Sequence, residues 1–516
     1  MAKLGRAIQM EQTVRTSGAA VRLRARRTRT GSALRLSLSL ALALALAGCA
    51  GSLDDKPQPL DVSITVPLPP AAPRTTGVDS PAAREHKQLV AYFGGEYHAP
   101  AIERFVDEVL VKLAAASDTP SQVYRVTILN SPIVNAFALP SGEIFVTRGL
   151  LALANDTSEL AAVMAHEIAH VTERHALRRA EIEKTSAVIT KAAAVIDDQN
   201  RQKNFQNYAQ LTLASFSRQQ EIDADQVGIR VIAKAGFDPF AASRFLVSLG
   251  RATDLRQSLH PGAQAKPDLM ATHPSTPERV AHAVAVARGI AAPGIGETGH
   301  DKYLAAIDGI LYGDDPAQGF VRGRRFIHPK LGFAFTAPED FVLENSAQAV
   351  LGVTPDGSQA LRLDSMKVSA ETSLESYLAS GWIEGLQAQG TPEPTKVNGL
   401  TAITVTAKAD AWSFRLAAVR VGGEVYRLTF AAKDLTPETD RRFREAIDTF
   451  RRITPEDARD VKPMRVAVVT AAAGQGAEAL SAGMATPDHP LENFEVLNGL
   501  DGSTLEPGRR YKIVVE

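Results

Sequence analysis

Residues 158–177 read SELAAVMAHEIAHVTERHAL. The stretch has no Gly or Pro, good helix formers throughout and a recurring apolar stripe, so it predicts one continuous helix. Inside it stands His166-Glu167-Ile168-Ala169-His170. At about 100° per residue, positions i and i+4 differ by roughly 40°, so both imidazoles leave the same face. Two histidines at that spacing can share one zinc ion while the glutamate between them addresses its water. The bland alternative is two solvated histidines beside an unrelated glutamate. His175 follows His166 by nine residues, about 180° around the same helix, and is expected to stay off the metal.

Downstream, residues 217–228 read SRQQEIDADQVG. Glu221 and Asp225 are again i and i+4 and share a helix face. A carboxylate from a second helix completes the His2Glu set of a catalytic zinc site, and Asp225 is placed to orient a ligand imidazole from behind. The alternative is an acidic, solvated helix face, which would leave both side chains exposed. Three N/O ligands leave a fourth position for water, and hard or borderline donors make zinc the first expectation.

HEIAHVTERH, SRQQEIDADQVG and THPSTPER (272–279), in that order, resemble the zinc metallopeptidase family of HtpX, the OMA-type proteases and the CAAX prenyl endopeptidases. YFGGEYHAP (92–100) and LNSPIVNAFALPSGEIFVTRGLL (129–151) agree with it. Within that family the chain is most similar to the soluble, periplasmic BepA-like lipoprotein branch. The resemblance implies a mainly helical zincin (gluzincin) domain with a small edge sheet. It implies His166, His170 and Glu221 as ligands of one zinc, Glu167 as general base and Asp225 as the acidic residue one turn after the ligand. It matches His273 to a histidine that approaches the metal, to aid the transition state or to plug the resting site. It matches Arg279 to an arginine that holds the oxyanion or the loop. Substrate is expected to lie extended along the strand near Asn135, Ala136 and Phe137, pairing with the sheet edge. The implied activity is hydrolysis of unfolded or misassembled envelope proteins. The competing reading is a chaperone-like or peptidoglycan-associated lipoprotein with a plugged, seldom-active site.

At the N-terminus, Arg22, Arg24, Arg26, Arg27 and Arg29 precede LRLSLSLALALALAG (34–48). A basic segment, a short apolar run and small residues make a signal peptide, 1–48. The run falls short of the roughly 20 apolar residues of a membrane span. Leu46-Ala47-Gly48-Cys49 resembles a lipobox, and Cys49 is the single cysteine of the chain. Lipidation there predicts a periplasmic protein anchored to a membrane, the outer membrane by analogy. One cysteine also excludes an internal disulfide framework.

With 516 residues, 45% of them hydrophobic, the chain is long enough for several domains. Lys+Arg 57 against Asp+Glu 58 gives a net charge of −1, which argues against a nucleic-acid partner. The expected organisation is a Pro-rich tether (49–83), the peptidase domain (84–322), an accessory domain (323–456) and a C-terminal segment (457–516), α+β overall. In the accessory domain, short alternating apolar runs predict strands and two stretches, 373–389 and 437–451, predict helices. The last segment reads strand–helix–helix–strand, and LNGLDGSTLEPGRRYKIVV (497–515) resembles a LysM repeat, although AAAGQGAEALSAGM (471–484) departs from the usual entry. Peptidoglycan is the partner that this resemblance implies.

Overall fold

The computed structural model describes residues 81–179, 216–259, 269–379, 387–409, 411–459, 461–486 and 489–516. The expected signal peptide, Cys49 and the tether up to residue 80 lie outside them. The tether reading ends early, because Pro81–Ala83 already belong to the first helix, α1 (Pro81–Tyr92).

The N-terminal half is built around one buried helix. In chain order it contains α2 (Pro100–Ala116), β1 (Arg125–Leu129), β2 (Ala136–Ala138), β3 (Glu143–Thr147), α3 (Arg148–Leu153) and α4 (Thr157–Thr172). There follow α5 (Arg218–Lys234), α6 (Ala241–Leu259), α7 (Leu269–Thr272), α8 (Pro277–Ile290) and α9 (His300–Ile307). Ile102, Phe105, Val106, Val109, Leu110 and Leu113 of α2 all face the core, as their spacing predicts. Helix α4 goes further than a stripe: every residue from Thr157 to His170 is buried. A helix enclosed on all sides needs its polar groups answered inside the protein. Its first turn is fixed by Asp156, whose side chain accepts from Glu159 N at 2.8 Å.

The small sheet runs β1-β3-β2, with β1 parallel and β2 antiparallel to β3. β2 is therefore an edge strand. Phe137 turns inward and stacks on Phe145 with centroids 4.8 Å apart.

The accessory region is β-rich. β4 (Leu311–Tyr312) precedes a four-stranded sheet of β5 (Phe320–Arg322), β6 (Arg325–His328), β7 (Phe333–Thr336) and β15 (Arg451–Arg452). A seven-stranded antiparallel sheet is made from β8 (Val342–Asn345), β9 (Val350–Val353), β10 (Gln359–Lys367), β11 (Gln387–Val397), β12 (Leu400–Ala409), β13 (Trp412–Val421) and β14 (Glu424–Ala432). Its order is β11-β12-β13-β14-β10-β9-β8. Phe335, Phe430 and Phe443 fill the core between the two sheets and α11 (Pro437–Asp448), while α10 (Leu374–Ala379) covers the opposite face through Leu374 and Tyr377.

Two helix expectations are corrected. The 373–389 helix stops as α10 at Ala379 among the described residues, and residues 387–389 begin β11. The sequence QAQGTPEPTKV has the polarity and prolines of a loop, but an edge strand tolerates both because only one side must pair. The 437–451 helix ends at Asp448, and Arg451–Arg452 pair with β7 instead.

The C-terminal segment follows α12 (Pro455–Arg459). It runs β16 (Met464–Thr470), α13 (Ala477–Ser481), α14 (Pro490–Leu497) and β17 (Arg510–Val515). Its strand–helix–helix–strand order matches expectation, but its sheet is β17-β16-β4, shared with the N-terminal half. Lys512 of β17 is fully buried and donates to Ala152 O, Leu153 O and Ala154 O at 2.7, 3.1 and 2.7 Å. Those are the carbonyls that the end of α3 leaves unpaired, so one lysine closes a helix and fastens the last strand.

Candidate metal centre

Two helices bring the donors together. Helix α5 is started by a capping box, Ser217 with Gln220, which places Glu221 in its first turn. It crosses α4 at Gly228, where an added Cβ would lie 3.1 Å from His166 N. The glycine lets the two backbones approach until Glu221 and Asp225 reach the histidines. Both carboxylates are buried, Glu221 at 1% and Asp225 at 5% exposure, which disposes of the solvated-face alternative.

His166 Nε2 and His170 Nε2 lie 2.9 Å apart. Glu221 Oε2 is 3.5 Å from His166 Nε2, and Glu221 Oε1 is 3.6 Å from His170 Nε2. His273 Nδ1 stands 3.2 Å from His166 Nε2 and 2.9 Å from Glu221 Oε1. All four residues offer a donor atom within 4.8 Å of the others. Donors around a tetrahedral ion at about 2.0–2.1 Å are roughly 3.3–3.4 Å apart, so these spacings suit a zinc-sized ion.

The remaining hydrogen bonds agree. Asp225 Oδ1 is 2.9 Å from His166 Nδ1. A carboxylate only accepts, so the proton sits on Nδ1 and Nε2 presents its lone pair inward. If His170 carries its proton on Nδ1, a second lone pair faces the first across 2.9 Å, an arrangement that a shared cation satisfies. Glu221 Oε2 lies 2.7 Å from Arg279 Nη1, but no N–H points along that line and the oxygen has no hydrogen bond. Glu167 Oε1 is likewise buried without one. Buried carboxylate oxygens left in this state are unusual, and both belong to one site. The residues present therefore fit a metal ion and its water.

Charge is balanced locally. Burial alone would raise Glu221, but His273 and His166 hold it well below the usual carboxylate range. Burial raises Glu167, only partly opposed by His273 and His166. Arg279 donates to both oxygens of Asp225 at 2.8 and 2.7 Å, and its Nη1 donates to Pro274 O at 3.0 Å. Its donors face the carboxylates and the loop. Arg279 thus stands against Asp225, Glu221 and the 274 loop, and it also lines the cavity beside His166 and Glu167. His273 Nε2 is 3.6 Å from Glu167 Oε1, so its ring stands between the base and the third ligand.

His175 was expected to point away, and the structure corrects the reason. Helix α4 ends at Thr172, and Arg174 takes a left-handed backbone, φ 56°. The chain turns back, and His175 Nδ1 comes to 2.9 Å from His170 Nδ1. It is not a ligand, but it backs one. Burial and Arg178 push His175 down to about 4, so at neutral pH its Nδ1 can accept from His170 and leave His170 Nε2 free for the metal. Phe216 stacks on the His170 ring at 4.0 Å. Neither residue has a spacing signal; the glycine inside DQVG did carry one, since a mid-helix glycine usually marks close packing.

Beside His166 and Glu167 is a cavity of about 40 Å3 walled by Val163, Phe245, Leu246 and Leu269. That volume holds water but no peptide side chain. Asn135, Ala136 and Phe137 are buried, so any substrate contact on β2 is through its backbone edge.

Residues 100–287 match the model of Peptidase family M48. The chain is 31% identical over 216 residues to the beta-barrel assembly-enhancing protease of Escherichia coli (strain K12), covering 40% of this chain and 43% of that one. It is 30% identical over 201 residues to the mitochondrial metalloendopeptidase OMA1 of Schizosaccharomyces pombe, covering 38% and 56%. The chain spans about half the length of the curated relatives it matches. Among solved structures, a Synechocystis sp. PCC 6803 PsbP is similar over 27% of this chain at 11% identity, with a TM-score of 0.21, and that likeness carries no argument.

Proposed function

We propose that the chain is a zinc-dependent metalloendopeptidase of the gluzincin type, on the premise that residues 100–287 match the model of Peptidase family M48. The observation that carries the proposal is the buried convergence of His166, His170 and Glu221 beside a Glu167 oxygen with no hydrogen bond. A zinc ion held by His166, His170 and Glu221 would supply Lewis acidity there, lowering the pKa of a bound water from 15.7 to about 7 and polarising a carbonyl. Glu167 accepts the water proton on Oε1 and passes it to the leaving amine; its raised pKa suits a group that must hold a proton between those steps. Asp225 holds His166 in the ligating tautomer, His175 does the same for His170, and Arg279 neutralises Asp225 and ties down the 274 loop. A peptide pairs with the free edge of β2, a mode that uses the main chain and little side-chain identity.

The proposed substrates are unfolded or misassembled envelope proteins. The support is the assembly-enhancing protease among the relatives, together with the signal-peptide and lipobox reading of residues 1–49. No described helix is long and apolar enough to cross a membrane, so the proposed anchor is a lipid on Cys49, in the outer membrane. The C-terminal βααβ segment is proposed as a LysM-like element whose first task is structural, through Lys512, with peptidoglycan as its candidate ligand.

The decisive assay compares wild type with Glu167→Gln for zinc content and for cleavage of unfolded casein. Zinc in both with cleavage only in wild type supports the proposal; equal cleavage overturns it. One observation favours the second reading, a metal-bound chaperone with a plugged site: His273 offers a fourth donor atom within 4.8 Å of the other three. That reading predicts negligible turnover in wild type and a large gain in His273→Ala.

A further inference from the structure

Basic side chains ring the small sheet β15-β7-β6-β5 of the accessory region. Residues 320–330 and 450–465 carry nine Lys or Arg against three Asp or Glu, in a chain whose net charge is −1. Arg322 and Arg325 face each other across the β5–β6 turn, and Arg324 stands in that turn. Lys330 is in the β6–β7 turn, and Arg451 and Arg452 form the edge strand. Arg459 ends α12, and Lys462 follows. Arg322 Nη2 donates to Lys462 O at 3.0 Å, which joins the hairpin to the later segment.

Arg325 and Arg451 share one carboxylate, Asp457, through hydrogen bonds of 2.6, 2.7 and 2.9 Å. Among the described residues Arg322, Arg324, Lys330, Arg452, Arg459 and Lys462 form no ion pair. All of these but the half-buried Arg322 are exposed. Arg322 also donates to Val321 O, Arg324 to Ala337 O and Arg459 to Pro455 O. Bonds to main-chain carbonyls hold the guanidinium groups in place without cancelling their charge. The neighbouring acids turn elsewhere: Asp314 accepts from Val321 N at 2.8 Å, and Asp340 lies 3.8 Å from Arg442. On the seven-stranded sheet and α11 the pattern is the opposite. There Arg362, Arg415, Arg427, Arg441 and Arg444 each meet a carboxylate at 2.6–2.9 Å. Cations gathered without counter-ions repel one another, and such a surface attracts an extended anion.

We propose that this face of the accessory region docks on a bilayer rich in anionic phospholipid. Head-group phosphates accept from Arg322, Arg324 and Arg459, and the two lysines add charge at the surface. Pro81 follows Cys49 by 32 residues, a span of at most about 110 Å. An anchored chain therefore never leaves the neighbourhood of a membrane. The choice of a bilayer over other anions rests on the anchor proposed at Cys49; the basic surface itself does not.

The test uses residues 50–516, which include every described residue and lack the cysteine and the apolar leader, so that binding reports the surface alone. Cosedimentation is measured with phosphatidylcholine vesicles containing about one-third phosphatidylglycerol and with phosphatidylcholine alone. Binding to the anionic vesicles at least tenfold tighter is expected, with release at about 1 M salt, where the screening length falls to about 3 Å. Arg322→Glu, Arg324→Glu and Arg459→Glu together should lose at least tenfold. Lys330 and Lys462 make no side-chain hydrogen bond among the described residues. Lys330→Glu with Lys462→Glu therefore keeps the measurement valid if the arginine variant fails to fold, and it too should weaken binding severalfold. Arg104→Glu, Arg230→Glu and Arg288→Glu, on exposed positions of α2, α5 and α8, make the same change in net charge and should keep most of the affinity. Equal binding to the two vesicles, or an equal loss in that control, overturns the surface. Sedimentation with purified peptidoglycan but not with the vesicles overturns the bilayer assignment. Lipid on Cys49 is read separately, by mass spectrometry of the full chain. Its absence would remove the anchor without touching the vesicle result.

Discussion

The metal centre and the accessory β region both bury charge, and they finish it differently. In the accessory region, Arg415 is 2% exposed and gives two 2.7 Å hydrogen bonds to Asp440, with Thr404 taking a third contact. Arg427 does the same with Asp364 at 2.6 and 2.8 Å. These are closed pairs that clamp a helix to a sheet and a strand to its neighbour. At the metal centre, His166, His170, His273, Glu167 and Glu221 crowd together, and two carboxylate oxygens still lack a hydrogen bond. Closed pairs serve the fold; an open cluster is held for something that completes it.

The largest expected effect breaks that comparison at its centre. Glu167→Gln keeps shape and zinc but loses the proton acceptor, and casein cleavage should fall about 10²–10⁴-fold. The same protein should keep its melting temperature. A variant that lost stability and activity together would mean that Glu167 is a structural group like Arg415.

The converse test is Arg415→Met. Removing Arg415 leaves the partly exposed Asp440 with Arg444 Nε at 3.1 Å, so the cost should be about 1–3 kcal/mol. Urea unfolding should show the loss, while zinc content and cleavage by the remaining folded protein stay at wild-type levels.

Much of this contrast was legible in the sequence, for a physical reason. The i, i+4 rule fixes a face without knowledge of the fold, so His166 with His170 and Glu221 with Asp225 declare themselves. The same rule misled at His175, because it assumes that the helix goes on, and Arg174 ends it. β11 was illegible because its pairing with β12, Val397 opposite Leu400 onward, is supplied by the partner and not by its own Pro- and Gly-containing sequence. The joining of Leu311 to Arg465 across the chain was illegible too, since no local pattern encodes a long-range register.

A smaller effect sharpens the role of residues behind the ligands. Asp225→Asn still fills the space but weakens the charge that fixes the His166 tautomer. Zinc affinity should drop about 10–100-fold. Competition with a graded series of chelators measures it, and an unchanged affinity would reduce Asp225 to an ion-pair partner of Arg279.

The smallest expected effect is a pH dependence confined to the accessory region. His328 is buried, and burial, helped by Lys330, pushes its pKa down to about 4. Its Nδ1 accepts from Leu331 N at 3.2 Å, a bond that only the neutral ring can make. Unfolded, the ring titrates at about 6.5. Between those values the unfolded chain holds a proton that the folded one refuses, so stability is full above about 6.5 and falls as pH drops toward 4. Asp440 and Asp457 are depressed carboxylates, and their contribution is lost only below the ordinary aspartate range, so the two windows separate. From pH 7.5 to pH 5 the loss should be on the order of 1–2 kcal/mol. His328→Asn keeps a possible acceptor for Leu331 and cannot titrate, so the urea midpoint of the accessory transition should move less between those pH values than in wild type. If both move equally, the charge that matters there lies elsewhere, and the accessory core is as indifferent to protons as its phenylalanines suggest.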